Sequence, residues 1–334
     1  MNWLVKWIEA TGFAPFWFLV LFIAASFLMI WRLEAMSAGG LEGTVLGTLI
    51  MPYCSGMGNL IFAFVMGVKA GPGNEVLTNA LVNNVTNMTL LLGLPAIFWR
   101  MSVQPPEKAQ KSTKKAKEKL QIHKINRLSL LLTLTAVVFF TGAVWALAAD
   151  GKLTSMDGIV MISLFLFWQA FHVYDVLKSN VRQNKSFGLK LIFDLALLAV
   201  GAYGIYLSTN WLVDWLSNIQ SGFISAKHLG WLSGWLMVLP NALLAMYYAR
   251  RGNPEVVYTS QVGDGHISIP LSIGIYSLYQ TIQVPGFFYT GAAILIAAAA
   301  LHFVVVAIFG SLPRIMGWVL VAAYLVFLYK GLGQ

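Results

Sequence analysis

Two polar clusters interrupt a chain that is otherwise apolar, and any chemistry belongs to them. The first holds Asn79, Asn83, Asn84, Thr86 and Asn87; the second holds Thr259, Ser260, Gln261, Asp264, His266 and Ser268. Asn79, Asn83 and Asn87 are spaced i, i+4, i+8 and so share one helix face, a spacing that Ser260, Asp264 and Ser268 repeat. Amide, hydroxyl and carboxylate oxygens are the ligands that hard cations take. In hydrocarbon the same groups are unfavourable until they find partners. Two such faces therefore satisfy each other by hydrogen bonding alone or line a hydrated site. Asp264 is the one carboxylate in either cluster, and an ionisable group at membrane depth is a functional candidate for an ion or a proton. His266 falls on a different helix face unless Gly263 and Gly265 break the helix; its imidazole would suit a proton relay.

The elements that carry these clusters are membrane spans. Of 334 residues, 58% are hydrophobic and 10% charged, whereas a soluble globular chain carries roughly a quarter charged residues. Apolar runs lie near 13–33, 40–69, 75–99, 128–149, 157–176, 191–209, 222–249, 254–280, 286–311 and 313–331. Each suffices to cross roughly 30 Å of hydrocarbon as a helix, and none shows the short alternation of a membrane barrel. Trp31, Trp99, Trp211, Trp215 and Tyr329 stand near run ends, as interfacial anchors do. The fold expected is all-α, with about ten transmembrane helices.

The net charge of +9 does not point to nucleic acid, because the basic residues are gathered between apolar runs. Lys108, Lys111, Lys114, Lys115, Lys117, Lys119 and Lys124 crowd the connection 100–127; Lys178, Arg182, Lys185 and Lys190 form a second group; Arg250-Arg251 and Arg314 mark two more. Ten crossings place all four on one side, the cytoplasmic side by the positive-inside rule, with both termini outside. Met1 to Pro15 shows no short apolar core ending in a cleavage site, so the first span is expected to be retained. The single cysteine, Cys54, excludes an internal disulfide and reads as a small buried residue. Asp194, near the start of the sixth run, is expected to snorkel or to pair with Lys190. His172 and His302 read as hydrogen-bonded packing residues, and Glu75 and Glu255 as carboxylates at helix starts, where the dipole favours them.

The chain also repeats itself. GNLIFAFVMGVKAGPGNEVLTNALVNNVTNMTLLLGLPAI, residues 58–97, has a counterpart in LPNALLAMYYARRGNPEVVYTSQVGDGHISIPLSIGIYSL, residues 239–278. Each copy has an early Asn (Asn59, Asn241), a Gly/Asn/Pro turn, a Glu (Glu75, Glu255), a polar stripe and a later glycine (Gly93, Gly274). An odd number of crossings separates them, so the copies run in opposite directions, as in secondary transporters. Residues 1–99 thus form the first half of repeat one, 100–127 a basic linker, 128–209 the middle helices, and 210–334 the core of the second repeat. Gly56-Met57-Gly58 and Leu239-Pro240 precede the two asparagines and would loosen their helices, freeing carbonyls toward a cation.

The stretch from Thr78 to Asn87, followed by Leu90-Leu91-Leu92-Gly93-Leu94, resembles the α-repeat of the calcium/cation antiporter superfamily, the sodium/calcium exchangers among them. The segment from Ser260 to Gly274 matches more weakly. The resemblance implies two inverted five-helix repeats, exchange of cations such as Ca²⁺ against Na⁺ or H⁺ at a midplane site, and no enzymatic chemistry. It also implies an acidic residue in the first helix of each repeat segment. Here Asn59 and Asn241 occupy those places, Asn87 and Ser268 match the late site residues, and Asn83 and Asp264 stand four earlier.

That departure carries a physical consequence. A Ca²⁺ site takes six to eight oxygens and tightens with carboxylate count. One carboxylate among amides suits a monovalent cation or a proton better. The expectation is a multi-pass cation antiporter of a prokaryotic inner membrane, with an altered ion preference among Na⁺, Ca²⁺ and H⁺. Its site is built from Asn59, Asn83, Asn84, Asn87, Asn241, Ser260, Asp264 and Ser268; Asp264 is the metal ligand and His266 a relay. No cofactor is expected, and nothing indicates a particular protein partner. The alternatives are a scaffold or sensor subunit that keeps the fold without transport, and a transporter of another solute.

Overall fold

The computed structural model describes residues 3–36, 45–103, 114–180 and 189–333. The basic stretches 104–113 and 181–188 lie outside the described residues, as do the side chains of Cys54, His172, Lys178 and the lysines of 114–124. The helices are α1 (Trp3–Ala10), α2 (Ala14–Met36), α3 (Val45–Val68), α4 (Gly73–Val85), α5 (Leu91–Phe98), α6 (Lys114–Leu147), α7 (Ser155–Asn180), α8 (Leu189–Ser217), α9 (Leu229–Arg250), α10 (Pro254–Tyr279), α11 (Phe288–Ile308) and α12 (Arg314–Leu332). A π turn, Thr86–Leu90, joins α4 to α5, so Gly73–Phe98 crosses as one span.

Among the described residues ten spans follow from this order. Seven are long and apolar enough by length and composition; shorter apolar stretches lie within α3 and α7; and α10, at 26 residues, is long enough but too polar to qualify. Burial explains the exception. The apolar window of Gly73–Phe98 is 78% buried inside the fold, against 22% for Arg314–Leu332. A helix enclosed by other helices need not be greasy all round, and α10 buries Gln261, Asp264, His266 and Ser268. The two polar spans are the central ones.

Two additions were not anticipated. The short helix α1 precedes the first span and packs Val5 and Ile8 against Ala14, Phe18 and Leu212, while Trp211 Nε1 donates to Glu9 at 2.9 Å. At the other addition, α6 begins at Lys114, inside the basic stretch, because Lys, Ala, Glu and Leu extend a helix readily once a span has nucleated it.

The two halves are related as inverted copies, α2–α7 against α8–α12. Four two-residue strands show it: β1 (Met101–Ser102), β2 (Lys152–Leu153), β3 (Ile282–Gln283) and β4 (Ser311–Leu312). β1 pairs antiparallel with β4, and β2 with β3, so exchanging the halves converts one pair into the other. β1 and β3 follow the central spans of their repeats, and the two pairs cap opposite ends of the bundle.

Glycines repeat the exchange. A Cβ on Gly93 would stand 2.9 Å from the Gly317 carbonyl oxygen, and one on Gly158 2.8 Å from that of Gly274. These mirrored crossings, α5 on α12 and α7 on α10, bring backbones together where a side chain would collide.

Charged groups secure the ends. Asp194 pairs with Arg32 of α2, Nη1 to Oδ1 at 3.3 Å, not with Lys190, which is exposed. The side chains of Arg32 and Asp194 are 11% and 3% exposed, and a carboxylate buried against α2 needs a cation at its own depth. At the other end of α8, Lys69 Nζ reaches Asp214 at 2.6 Å. Glu75 caps a neighbouring helix: its Oε2 accepts the Gly230 N–H of α9 at 2.6 Å, and its Oε1 accepts Asn74 Nδ2 at 2.9 Å.

Candidate functional site

The two polar faces meet in the interior. Asn83 Nδ2 donates to Asp264 Oδ2 at 2.6 Å, and Asn87 Nδ2 donates to the same oxygen at 2.9 Å. One turn along, Asn84 Nδ2 donates to Ser268 Oγ at 2.9 Å, and the Asn84 Oδ1 lies 3.2 Å from that hydroxyl. Asn83, Asn84, Asn87, Asp264 and Ser268 are all fully buried. The close approach has a local cause, since a Cβ on Gly265 would stand 2.9 Å from Asn84 Oδ1. Asn83 and Asp264 hold equivalent places in the two repeats, so the strongest contact lies across the pseudo-twofold axis.

Asp264 is engaged on one side only. Oδ2 accepts two amide donors, whereas Oδ1 has no hydrogen-bond partner among the described residues and looks onto Gly56 of α3, where a Cβ would lie 3.2 Å away. A carboxylate held this way keeps one oxygen oriented and the other available. Further buried oxygens lack partners among the described residues: Asn59 Oδ1, Asn79 Oδ1, Asn83 Oδ1, Asn87 Oδ1 and Gln261 Oε1. The Asn83 and Asn87 oxygens belong to the two amides bonded to Asp264 and stand with its Oδ1 as acceptors, each costing about 1–3 kcal/mol if left unpaired. A set of oxygens is what a cation satisfies. Among the described residues no group of three or more His, Cys, Asp or Glu side chains gathers, so any metal held here is bound mainly by amides.

The remaining expected residues are placed as follows. Asn241 is buried on α9, its Nδ2 lacks a partner among the described residues, and its backbone oxygen accepts Gln261 Nε2 at 3.3 Å. Ser260 is half-buried, accepts Gln261 Nε2 at 2.9 Å and donates to Val257 O at 3.1 Å, so it joins Asn241 and not Asp264. Asn59 is buried on α3, and among the described residues no hydrogen bond links it to the Asp264 cluster. His266 is buried on α10, two residues from Asp264 on an unbroken helix. Thr259 is exposed and turns its hydroxyl onto the Glu255 carbonyl at 2.8 Å. Asn79 donates to Ser233 Oγ at 3.0 Å, extending the first stripe to α9.

Loosening by Gly and Pro takes another form than anticipated. α3 runs unbroken through Gly56 and Gly58, and α9 through Pro240. Gly56 makes room for the Asp264 carboxylate, and the first repeat breaks its ladder at the π turn. Sequence reading missed Gly56 as a neighbour of Asp264, and it missed the supports of the π turn. Thr86 Oγ1 lies 3.4 Å from Tyr324 Oη, which accepts Trp235 Nε1 at 2.9 Å; on the other side His302 Nε2 lies 2.9 Å from the Met88 carbonyl oxygen. No local pattern marks such partners, because they are contributed by distant helices.

Two inverted bundles with a polar, charged seam between their central spans define a membrane transport protein. The sequence profile described as Sodium/calcium exchanger protein matches residues 13–174 and 193–330, and the chain belongs to that family. The fold is similar to solved structures of the sodium-calcium exchanger NCX_Mj. With the form soaked in 2.5 mM Na+ and 10 mM Sr2+ the TM-score is 0.62 at 19% identity, covering 95% of this chain and 97% of that one. With the form in 2.5 mM Na+ and 1 mM Sr2+ it is 0.61 at 19% identity, covering 98% of each. With the form in 10 mM Na+ and zero Ca2+ it is 0.61 at 18% identity, covering 96% and 97%. At such identity the likeness is one of fold. No curated protein matches the chain.

Proposed function

We propose that this exchanger-family protein is a secondary cation antiporter that works by alternating access between its repeats, with a site centred on Asp264. The observation that carries the reading is the carboxylate itself: buried, oriented through Oδ2 by Asn83 and Asn87, and presenting Oδ1 beside buried amide oxygens without partners. One negative charge balances one positive charge. The site therefore favours a monovalent cation or a proton over bare Ca²⁺, whose two charges would remain half neutralised in a low-dielectric interior. Family membership supports cation exchange as the activity, and the inverted halves support two conformations of similar energy. The distribution of basic residues supports a cytoplasmic linker side with both termini outside, and the small size and short loops fit a prokaryotic inner membrane.

The test is flux. Purified full-length protein in proteoliposomes, loaded with Na⁺, K⁺, Ca²⁺ or a pH gradient, is expected to exchange a monovalent cation or protons. Asp264→Asn, which keeps the shape and removes the charge, is expected to stop it. Silence toward every ion, or full flux in the mutant, would contradict the reading.

A second reading has an observation of its own. Asn83 and Asn87 already occupy Asp264, as they would in a seam closed for good. A scaffold of that kind would show no rise in unfolding midpoint with any cation, whereas a transporter gains stability as RT ln(1 + [L]/Kd).

A further inference from the structure

We propose that His302 is a positioning residue for the cation site: its Nε2–H on the Met88 carbonyl holds the π turn in the register that brings Asn87 to Asp264. The inference rests on the transport reading for the word cation, and on the hydrogen bonds alone for the positioning.

The π turn is where the first repeat departs from α geometry. Leu91 N–H bonds to Thr86 O, five residues back, so one residue more than an α turn is taken up between them. An extra residue rotates everything beyond it by roughly 100° about the helix axis. Asn87 lies inside this turn and Gly93 just beyond it. The turn thus sets how Asn87 meets Asp264 and how Gly93 meets Gly317. A π turn also disturbs the carbonyl register and favours donors from outside the helix.

His302 is such a donor. It lies on α11, fully buried, with Nε2 2.9 Å from Met88 O and Nδ1 3.4 Å from Tyr258 Oη. A carbonyl only accepts, so the proton is on Nε2. Nδ1 is then an acceptor, matched by the Tyr258 hydroxyl, itself fully buried. Tyr258 stands edge-on to the imidazole, with ring centroids 5.6 Å apart at 85°. One α10 residue therefore fixes the tautomer of an α11 residue that grips the first repeat.

The second repeat has another device at the corresponding place. Pro270 lies in α10 two residues after Ser268, as Thr89 lies two after Asn87, and it lacks the N–H that the His266 carbonyl would accept. The loss of that ladder bond is covalent, and α10 stays one continuous helix through it. The break in the first repeat depends on a side chain and can be released by changing it.

The test uses the full chain in proteoliposomes, with flux measured against cation concentration. His302→Leu is expected to raise the KM for the cation about tenfold while the maximal rate stays within about twofold, since Asn87 is misplaced but Asp264 remains. His302→Gln, whose Nε2 amide can reach Met88, restores most of the affinity, and Tyr258→Phe raises KM by about two- to threefold. Backbone hydrogen exchange over Thr86–Leu90 is expected to quicken in the leucine variant and not in the glutamine one. If His302→Leu fails to fold, His302→Asn, too short to reach Met88, replaces it. Wild-type KM in the variant that loses the donor would overturn the role and leave the transport reading intact. If the wild type moves no cation, the transport reading falls, and exchange over Thr86–Leu90 still decides: faster exchange upholds the grip and unchanged exchange overturns it.

Discussion

The two central spans do the same architectural work with different chemistry. In the first repeat, α4 and the π turn carry Asn79, Asn83, Asn84 and Asn87, all neutral amides. In the second, α10 carries Asp264 and Ser268 on a continuous helix. The scaffold around them is symmetric to the level of single residues, with β1·β4 mirroring β2·β3 and Gly93·Gly317 mirroring Gly274·Gly158. The charge is not. The comparison separates two requirements that a transporter places on one chain. The frame needs two equivalent halves to exchange conformations, while the site between them needs only the right sum of ligands.

The largest test of that asymmetry removes the charge. Asp264→Asn is expected to lower cation flux about a hundredfold to a thousandfold, since one ion pair at 4 Å and an effective dielectric constant of 20 is worth about 4 kcal/mol. Flux assays in proteoliposomes read it directly. On the amide side, Asn83→Ala deletes a 2.6 Å hydrogen bond to a buried carboxylate. Bonds to charged groups contribute about 1.5–3 kcal/mol, so cation affinity should fall roughly ten- to a hundredfold, which a concentration series of the same assay shows.

The symmetric frame is tested by a matched pair. Gly93→Val and Gly274→Val each force a side chain onto a facing backbone, and each should cost about 1–3 kcal/mol in thermal unfolding of detergent-solubilised protein. Equal losses support equivalent crossings, and one silent variant breaks the equivalence. The smallest effect is expected at Gly56→Ala, which sets a methyl 3.2 Å from Asp264 Oδ1. Oxygen and methyl can part by a few tenths of an ångström, so the cation KM should rise about tenfold with the fold intact.

Much of this was legible in the sequence. Ten apolar runs became ten spans because bilayer thickness leaves the backbone no other solution. Asn83, Asn87 and Asp264 were legible as partners because i, i+4 spacing recurs in both halves, and equivalent helices in inverted repeats face each other. What was not legible depends on distance in sequence. Gly56 meets Asp264 from 208 positions away only because α3 and α10 pack side by side. The pairing of Asp194 with Arg32 in place of Lys190 depends on which face of α8 meets α2, and a helix apolar all round gives no such face away. The π turn left no mark at all. TNMTL carries no glycine or proline, and the donor that holds it sits on α11.

The most direct measurement moves the charge across the axis. Asn83→Asp combined with Asp264→Asn keeps one carboxylate and one amide in contact at 2.6 Å but exchanges their helices. If the seam between the repeats is the cation site, the double variant should recover cation flux to within about tenfold of wild type, while Asp264→Asn alone stays inactive. A double variant that folds, reconstitutes and remains as inactive as the single one would contradict the account.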